Sequence, residues 1–157
     1  MATPIRRLAL TAGSAALAIA TVVFAQTLQL RTGEWDFTMT GLASALGTTN
    51  LAPQARAQLE QPQHYKSCVT QEDLAALNLG RPADEDEDCQ VTSHKVSGKT
   101  ADIVRTCHGD QERTEQTHIE APSNETLHMT IDMTSARGKA HLTIDGKWIG
   151  AMCTDSD

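Results

Sequence analysis

Four cysteines and six histidines are the residues of this chain best suited to chemistry. A thiolate can attack, ligate a metal or cross-link, and an imidazole can hold a metal or carry a proton. Cys68, Cys89, Cys107 and Cys153 include no C-x-x-C pair. That spacing argues against a zinc site and against a thiol–disulfide redox site, and leaves cross-linking. Four cysteines allow three connectivities. Cys68 and Cys89 flank a short helical stretch, and Cys107 and Cys153 each end a strand. Cys68–Cys89 and Cys107–Cys153 are the expected pairs.

The histidines invite a metal. If Ile119 faces Leu127 across two paired strands, His118 lies opposite His128, with Glu120 or Thr126 nearby. His141 then falls opposite Thr134, and His128 also faces Lys147. Two ligands beside a lysine make a poor site, so these are read as exposed polar-face histidines and no metal or other cofactor is expected. The acidic run Asp84-Glu85-Asp86-Glu87-Asp88 lacks the spacer residues, glycine turn and distal glutamate of a calcium loop, and reads as a solvated loop. No G-x-S-x-G, H-E-x-x-H or glycine-rich phosphate loop occurs. The chain is read as no enzyme.

The elements that must position these residues follow from period-two patterning. In Glu125–Met133, Leu127, Met129, Ile131 and Met133 alternate with His128, Thr130 and Asp132. Ala140, Leu142, Ile144 and Trp148 repeat the pattern, so one face of an antiparallel hairpin is apolar. A two-residue turn at Arg137-Gly138 pairs Met133 with Leu142, Ile131 with Ile144 and Leu127 with Trp148. Met129 then faces Gly146, which leaves a gap. A four-residue turn one register step away is the competing choice. Gly33–Thr40 is a further strand, with Trp35, Phe37 and Met39 on one face. His64–Val69, Cys89–Val96 and Thr100–Cys107 read as strands. Glu112–Glu120 reads as an edge or strongly solvated strand, because only Ile119 is plainly apolar. Thr70 to Asp73 approximates a capping box for a helix over Gln71–Leu79, with Gly80 as its left-handed cap. Gln54–Gln61 can form two helical turns after Pro53, within a long insertion spanning 41–63.

The expected fold is mainly β. It is a curved antiparallel sheet of six to seven strands, barrel or half-barrel-like, with one or two short helices and two disulfides. The first 25 residues read as a signal peptide. Arg6 and Arg7 form its basic start, Leu8–Phe24 is apolar and uncharged, and Val23-Phe24-Ala25 suits cleavage. The single domain then spans 26–157. The whole chain carries a formal charge of −7, and loss of Arg6 and Arg7 makes it two units more negative. Repulsion therefore opposes nucleic acid and anionic lipid as partners. Nothing after the signal is long and apolar enough to span a membrane. A soluble exported protein of the periplasm, with cysteines oxidised, is the expectation.

Several motifs come in a telling order: G-E-W-D-F-T-M-T from Gly33, Cys68-Val69-Thr70-Gln71-Glu72-Asp73, Asp88-Cys89, Ser97-Gly98, Cys107, and the ending from Gly146 to Cys153. In these the chain resembles the domain-of-unknown-function family 3617, secreted proteins of Gram-negative bacteria. It departs at Asp36, at Lys147-Trp148 and in the composition of the insertion around Asn50. The resemblance implies export and no activity.

Two non-enzymatic classes remain. One is a binding module for a small apolar or lipid-like ligand on a face formed by Trp35, Phe37, Met39, Leu127, Met129, Ile131 and Trp148. Its expected place is the Met129–Trp148 side of the hairpin beside Gly146, although such residues more often simply form the core. The other is an envelope interaction or structural protein that uses segment 41–63 as its contact.

Overall fold

The computed structural model describes residues 28–45, 52–80, 88–109 and 112–154. The signal segment with its cleavage point, and residues 84–87 of the acidic run, lie outside the described residues. Seven strands form one antiparallel sheet: β1 (Gly33–Thr40), β2 (Gln63–Val69), β3 (Asp88–Ser97), β4 (Thr100–His108), β5 (Arg113–Ser123), β6 (Thr126–Ser135) and β7 (Gly138–Gly150). Their spatial order is β2-β1-β7-β6-β5-β4-β3, so the sheet is open, with β2 and β3 at its edges. Strands β3 to β7 form a simple meander. The first strand instead pairs with the last, Phe37 against Gly146 and Met39 against Ile144.

The helical parts are short. A single turn, α1 (Leu42–Ala45), follows β1. Helix α2 (Pro53–Leu59) starts on proline, whose fixed φ suits a first helical position. Helix α3 (Gln71–Ala76) carries the expected capping box, with Asp73 N–H bonded to the Thr70 hydroxyl and the Asp73 carboxylate accepting from Thr70 N–H. It ends earlier than Gly80. Leu77 takes the left-handed cap at φ 54°, an unusual conformation for a residue with a Cβ. Burial accounts for the choice, because Leu77 and Leu79 both enter the core.

Alternation divides the sheet into two faces. The inner face holds Trp35, Phe37, Met39, Ala101, Ile103, Ile119, Leu127, Met129, Ile131, Leu142 and Ile144, all buried. Leu74 of α3, Leu77 and Leu79 just after it, and Leu28 and Leu30 from the chain preceding β1 pack against it. Each such side chain contributes about 1.5–3 kcal/mol when fully buried. Thr, His, Asp and Lys residues fill the outer face.

Three sequence expectations need correction. The hairpin register differs by one step: Leu127 faces Gly146, Met129 faces Ile144, and Ile131 faces Leu142. Ala136 and Arg137 make the turn, and Gly138 follows it at φ 133°. The glycine thus spends its conformational freedom just after the turn, a known hairpin solution, rather than inside it. Strand β5 is interior, between β4 and β6, and not an edge. Its polar inner residues Glu115 and Thr117 are buried, which the edge reading did not allow.

The disulfides are the third correction. They join Cys68 to Cys153 and Cys89 to Cys107. Cys89 and Cys107 are register partners across β3–β4, so their side chains meet without any loop rearrangement. Cys68 lies opposite Glu34 on β1, and Glu34 in turn lies opposite Gly150 on β7. The chain leaving β7 therefore passes the end of β1 and reaches Cys68.

Candidate functional site

The seven residues expected to face a ligand do share the inner face, but they are packed against one another. Trp35 and Phe37 rings stack at 6.1 Å, and Phe37 and Tyr65 at 5.4 Å. Trp148 pairs with Trp35 in register and is partly buried. The space beside Gly146 is filled: a Cβ there would lie 2.7 Å from Phe37 Cε1 and 2.9 Å from Leu127 Cγ. Gly80 also meets this ring, with a Cβ placed 2.9 Å from Phe37 Cε1. Phe37 thus lies close against two glycines and plugs the gap that the sequence leaves at Gly146.

The cover over this face is held by few polar contacts. Tyr65 donates its hydroxyl to the Gly80 carbonyl. Burial pushes the Tyr65 phenol up to about 12, so it stays a donor at any ordinary pH. Arg105 Nη2 donates to the Leu77 carbonyl at 2.7 Å, where the C-terminal end of α3 carries partial negative charge. At the other margin Arg31 lies over the Trp148 ring, 3.6 Å from its centroid, and pairs with Glu125. The indole nitrogens of Trp35 and Trp148 donate to the Arg31 and Thr32 carbonyls. Residues 28–32 are therefore sewn to both tryptophans.

One feature of the inner face escaped the sequence reading. Arg105 and Glu115 face each other across β4–β5, 4% and 0% exposed. Arg113 Nε donates to Glu115 Oε1 at 2.9 Å. A buried charge requires compensation, and this group forms a polar end to an otherwise apolar layer. Strand parity held the signal: Arg105 shares its face with Ile103 and Cys107, and Glu115 with Thr117 and Ile119.

The outer face shows a different order. His118 lies opposite Thr130, and Glu120, rather than His118, lies opposite His128. His128 faces Asp145, and His141 faces Asp132. Three cross-strand His–Asp pairs result, with Nδ1–Oδ1 distances of 2.6 Å for His118–Asp102, 2.7 Å for His128–Asp145 and 2.8 Å for His141–Asp132. The hydrogen bond to Asp102 holds the His118 imidazole above its usual pKa, and Glu120 adds to the effect. Thr38 and His64 make a fourth link, at 3.0 Å.

Asp132, His141 and Thr143 stand in the order of a hydrolytic triad, with His141 Nε2 3.5 Å from the Thr143 hydroxyl. Such a triad also requires oxyanion donors in a site sheltered from water. Strand β7 has a paired neighbour on each side, which commits its backbone N–H groups. The His141 and Asp132 side chains are more than half exposed. Among the described residues no group of three or more His, Cys, Asp or Glu side chains could hold a metal ion, and no helix is long and apolar enough to cross a membrane.

The model of a family described as "Protein of unknown function (DUF3617)" matches residues 30–153. No curated protein and no solved structure matches the chain.

Proposed function

The chain belongs to the DUF3617 family, and from that premise we propose that it is a non-enzymatic binding module of the periplasm, taking a small apolar or lipid-like ligand on the inner face of its sheet. The carrying observation is how that face is covered. Trp35, Phe37, Met39, Leu127, Met129, Ile131 and Trp148 form one apolar layer that, among the described residues, is covered by Leu74 of α3, the 77–80 segment after it and the segment around Leu28 and Leu30, and not by a second sheet. Lifting α3 together with residues 77–80 breaks the Tyr65–Gly80 and Arg105–Leu77 hydrogen bonds but no strand pairing. Short covers of this kind open locally at less cost than a sheet does. An N-terminal segment of signal-peptide character and two disulfides support the compartment.

The test is tryptophan fluorescence of the disulfide-intact protein with the apolar probe N-phenyl-1-naphthylamine. Saturable quenching with matching probe emission is the expected result. A flat titration at probe concentrations up to about 50 μM, well above the range of ordinary apolar-site affinities, refutes the reading.

A second reading rests on α2. None of its side chains is buried, so it is free to serve as the contact of an envelope interaction protein. Pull-down from an envelope fraction with the intact chain, and with 53–59 replaced by a Gly/Ser linker, tests it. Loss of a specific partner in the replaced form supports the interaction reading, and an identical set of captured proteins rejects it.

A further inference from the structure

The inner face ends in a polar corner. Of the inner-face side chains on β4, β5 and β6, Arg105, Arg113 and Glu115 alone carry charge. Arg105 is the register partner of Glu115, and Arg113 Nε donates to Glu115 Oε1 at 2.9 Å. Thr117 follows Glu115 on the same face of β5. It is 4% exposed, and its hydroxyl has no hydrogen-bond partner among the described residues. We propose that this corner receives the carboxylate of a single-chain aliphatic acid whose tail lies along Ile131, Met129 and Leu127. The proposal rests on the inner face being a ligand site, and it adds the chemistry of the ligand and the end at which its head group sits.

Three observations carry it. The first is charge. Two guanidiniums share the corner with one carboxylate, a formal excess of one positive charge that a monoanion neutralises. Charges out of water act strongly on one another, whereas the exposed carboxylates that make the chain acidic are screened beyond about 8–10 Å in ordinary salt.

The second is the bond that binding must replace. Arg105 Nη2 donates to the Leu77 carbonyl at 2.7 Å. A ligand that enters by lifting residues 77–80 takes that acceptor away from a guanidinium only 4% exposed. Stripping a buried charged donor of its acceptor is costly, so a ligand made of methylenes alone is penalised there. A carboxylate restores the acceptor through a charge-assisted bond. Thr117 is a diagonal neighbour of Arg105 across β4–β5, close enough for one head group to reach both, and its unused hydroxyl donates to the second oxygen.

The third is length. Thr117 faces Ile131 on β6, and the strand from Ile131 back to Leu127 spans about 14 Å. One acyl chain fills about 15 Å, half of a bilayer's hydrocarbon core of ~30 Å. A chain anchored at Thr117 therefore reaches the Phe37 and Leu127 end of the apolar layer.

The experiment is displacement of N-phenyl-1-naphthylamine from the disulfide-intact protein at about pH 8, where a carboxylic acid is ionised. The competitors are dodecanoate, dodecanol and dodecyltrimethylammonium, below their micelle-forming concentrations. Dodecanoate should compete more than about tenfold better than dodecanol, the effect of one charge-assisted hydrogen bond, and the trimethylammonium should be weakest. Arg113→Gln cancels the charge excess and should bring acid and alcohol within about twofold of each other. Thr117→Val removes a buried hydroxyl that has no partner to lose, so it should fold, weaken dodecanoate about fivefold and leave dodecanol unchanged. Thermal unfolding confirms that the variants fold, and Thr117→Val decides alone if Arg113→Gln does not. Dodecanol competing as well as dodecanoate overturns the head-group assignment alone, as does a Thr117→Val protein that keeps the full preference for the acid. A protein that takes up no probe overturns the binding-module reading along with it.

Discussion

Replacing each cysteine pair in turn by alanine separates the two cross-links. The Cys68–Cys153 bridge spans a sequence separation of 85, and the Cys89–Cys107 bridge a separation of 18. In the chain-entropy account, closing those loops restricts the unfolded chain by about 4.6 and 3.2 kcal/mol respectively. The native contexts widen the gap. Cys89 and Cys107 are partners in a hairpin that its own ladder and the Gly98-Lys99 turn already hold together. Cys68 and Cys153 instead tie edge strand β2 to the chain beyond β7, across β1. Cys68→Ala/Cys153→Ala should therefore cost at least about 1.4 kcal/mol more than Cys89→Ala/Cys107→Ala. Urea unfolding monitored by tryptophan fluorescence reads the difference, with similar m-values confirming comparable unfolded states. Mass mapping of a nonreducing digest checks the premise. An equal or reversed order of stability refutes the entropic reasoning, and a Cys68–Cys89 peptide refutes the connectivity.

Further predictions concern single side chains. Gly146→Ala should destabilise by about 1–3 kcal/mol, because its Cβ meets Phe37 and Leu127 inside 3 Å; equilibrium unfolding measures it, and Phe37→Leu should relieve part of the cost. Arg105→Ala should cost about 3–5 kcal/mol, since it strips a buried charge from beside fully buried Glu115 and unfastens the Leu77 carbonyl; hydrogen exchange should show α3 amides losing protection before those of β6. The raised pKa of His118 means that the folded chain holds its proton more tightly than the unfolded chain. The associated stabilisation is full below the unfolded value of about 6.5 and is lost as pH rises through the folded value. NMR titration should show the Asp102→Asn variant moving His118 back toward the ordinary histidine range, and an unmoved midpoint would contradict the assigned cause.

Period-two patterning exposed the apolar faces of β1, β6 and β7 directly, because alternation survives wherever one face is buried. Strand β5 defeated it. Glu115 and Thr117 occupy buried positions that apolar residues usually fill, and their acceptability depends on Arg113 and neighbouring strands that no local window contains. The β6–β7 register failed by one step because Gly138 serves equally well within a turn or just after it. The disulfide pairing failed for a topological reason: nothing local to Cys68 or Cys153 reveals that β1 inserts between β2 and β7. On the outer face, the His–Asp pairs became visible only once that register was known. A shift of one step exchanges Asp145 for Lys147 opposite His128 and changes the chemistry of the whole face.

The pairing of β1 with β7 also sets a timetable. A chain made from its N-terminus presents Gly33–Thr40 first, and the strand that must lie beside it, Gly138–Gly150, almost last. At about 5–20 residues per second the wait is on the order of 5–20 s. Throughout it, Trp35 and Phe37 have no sheet neighbour except β2, and Cys68 has no native partner while Cys89 and Cys107 are already available to it. The β3–β6 meander can assemble during this interval, but the open edge of β1 and Cys68 must be kept from pairing and oxidising with the wrong partners. Biogenesis of this protein thus depends on its final strand, and truncation before Trp148 should leave an aromatic, thiol-bearing N-terminal hairpin exposed to whatever chaperone or oxidant meets it.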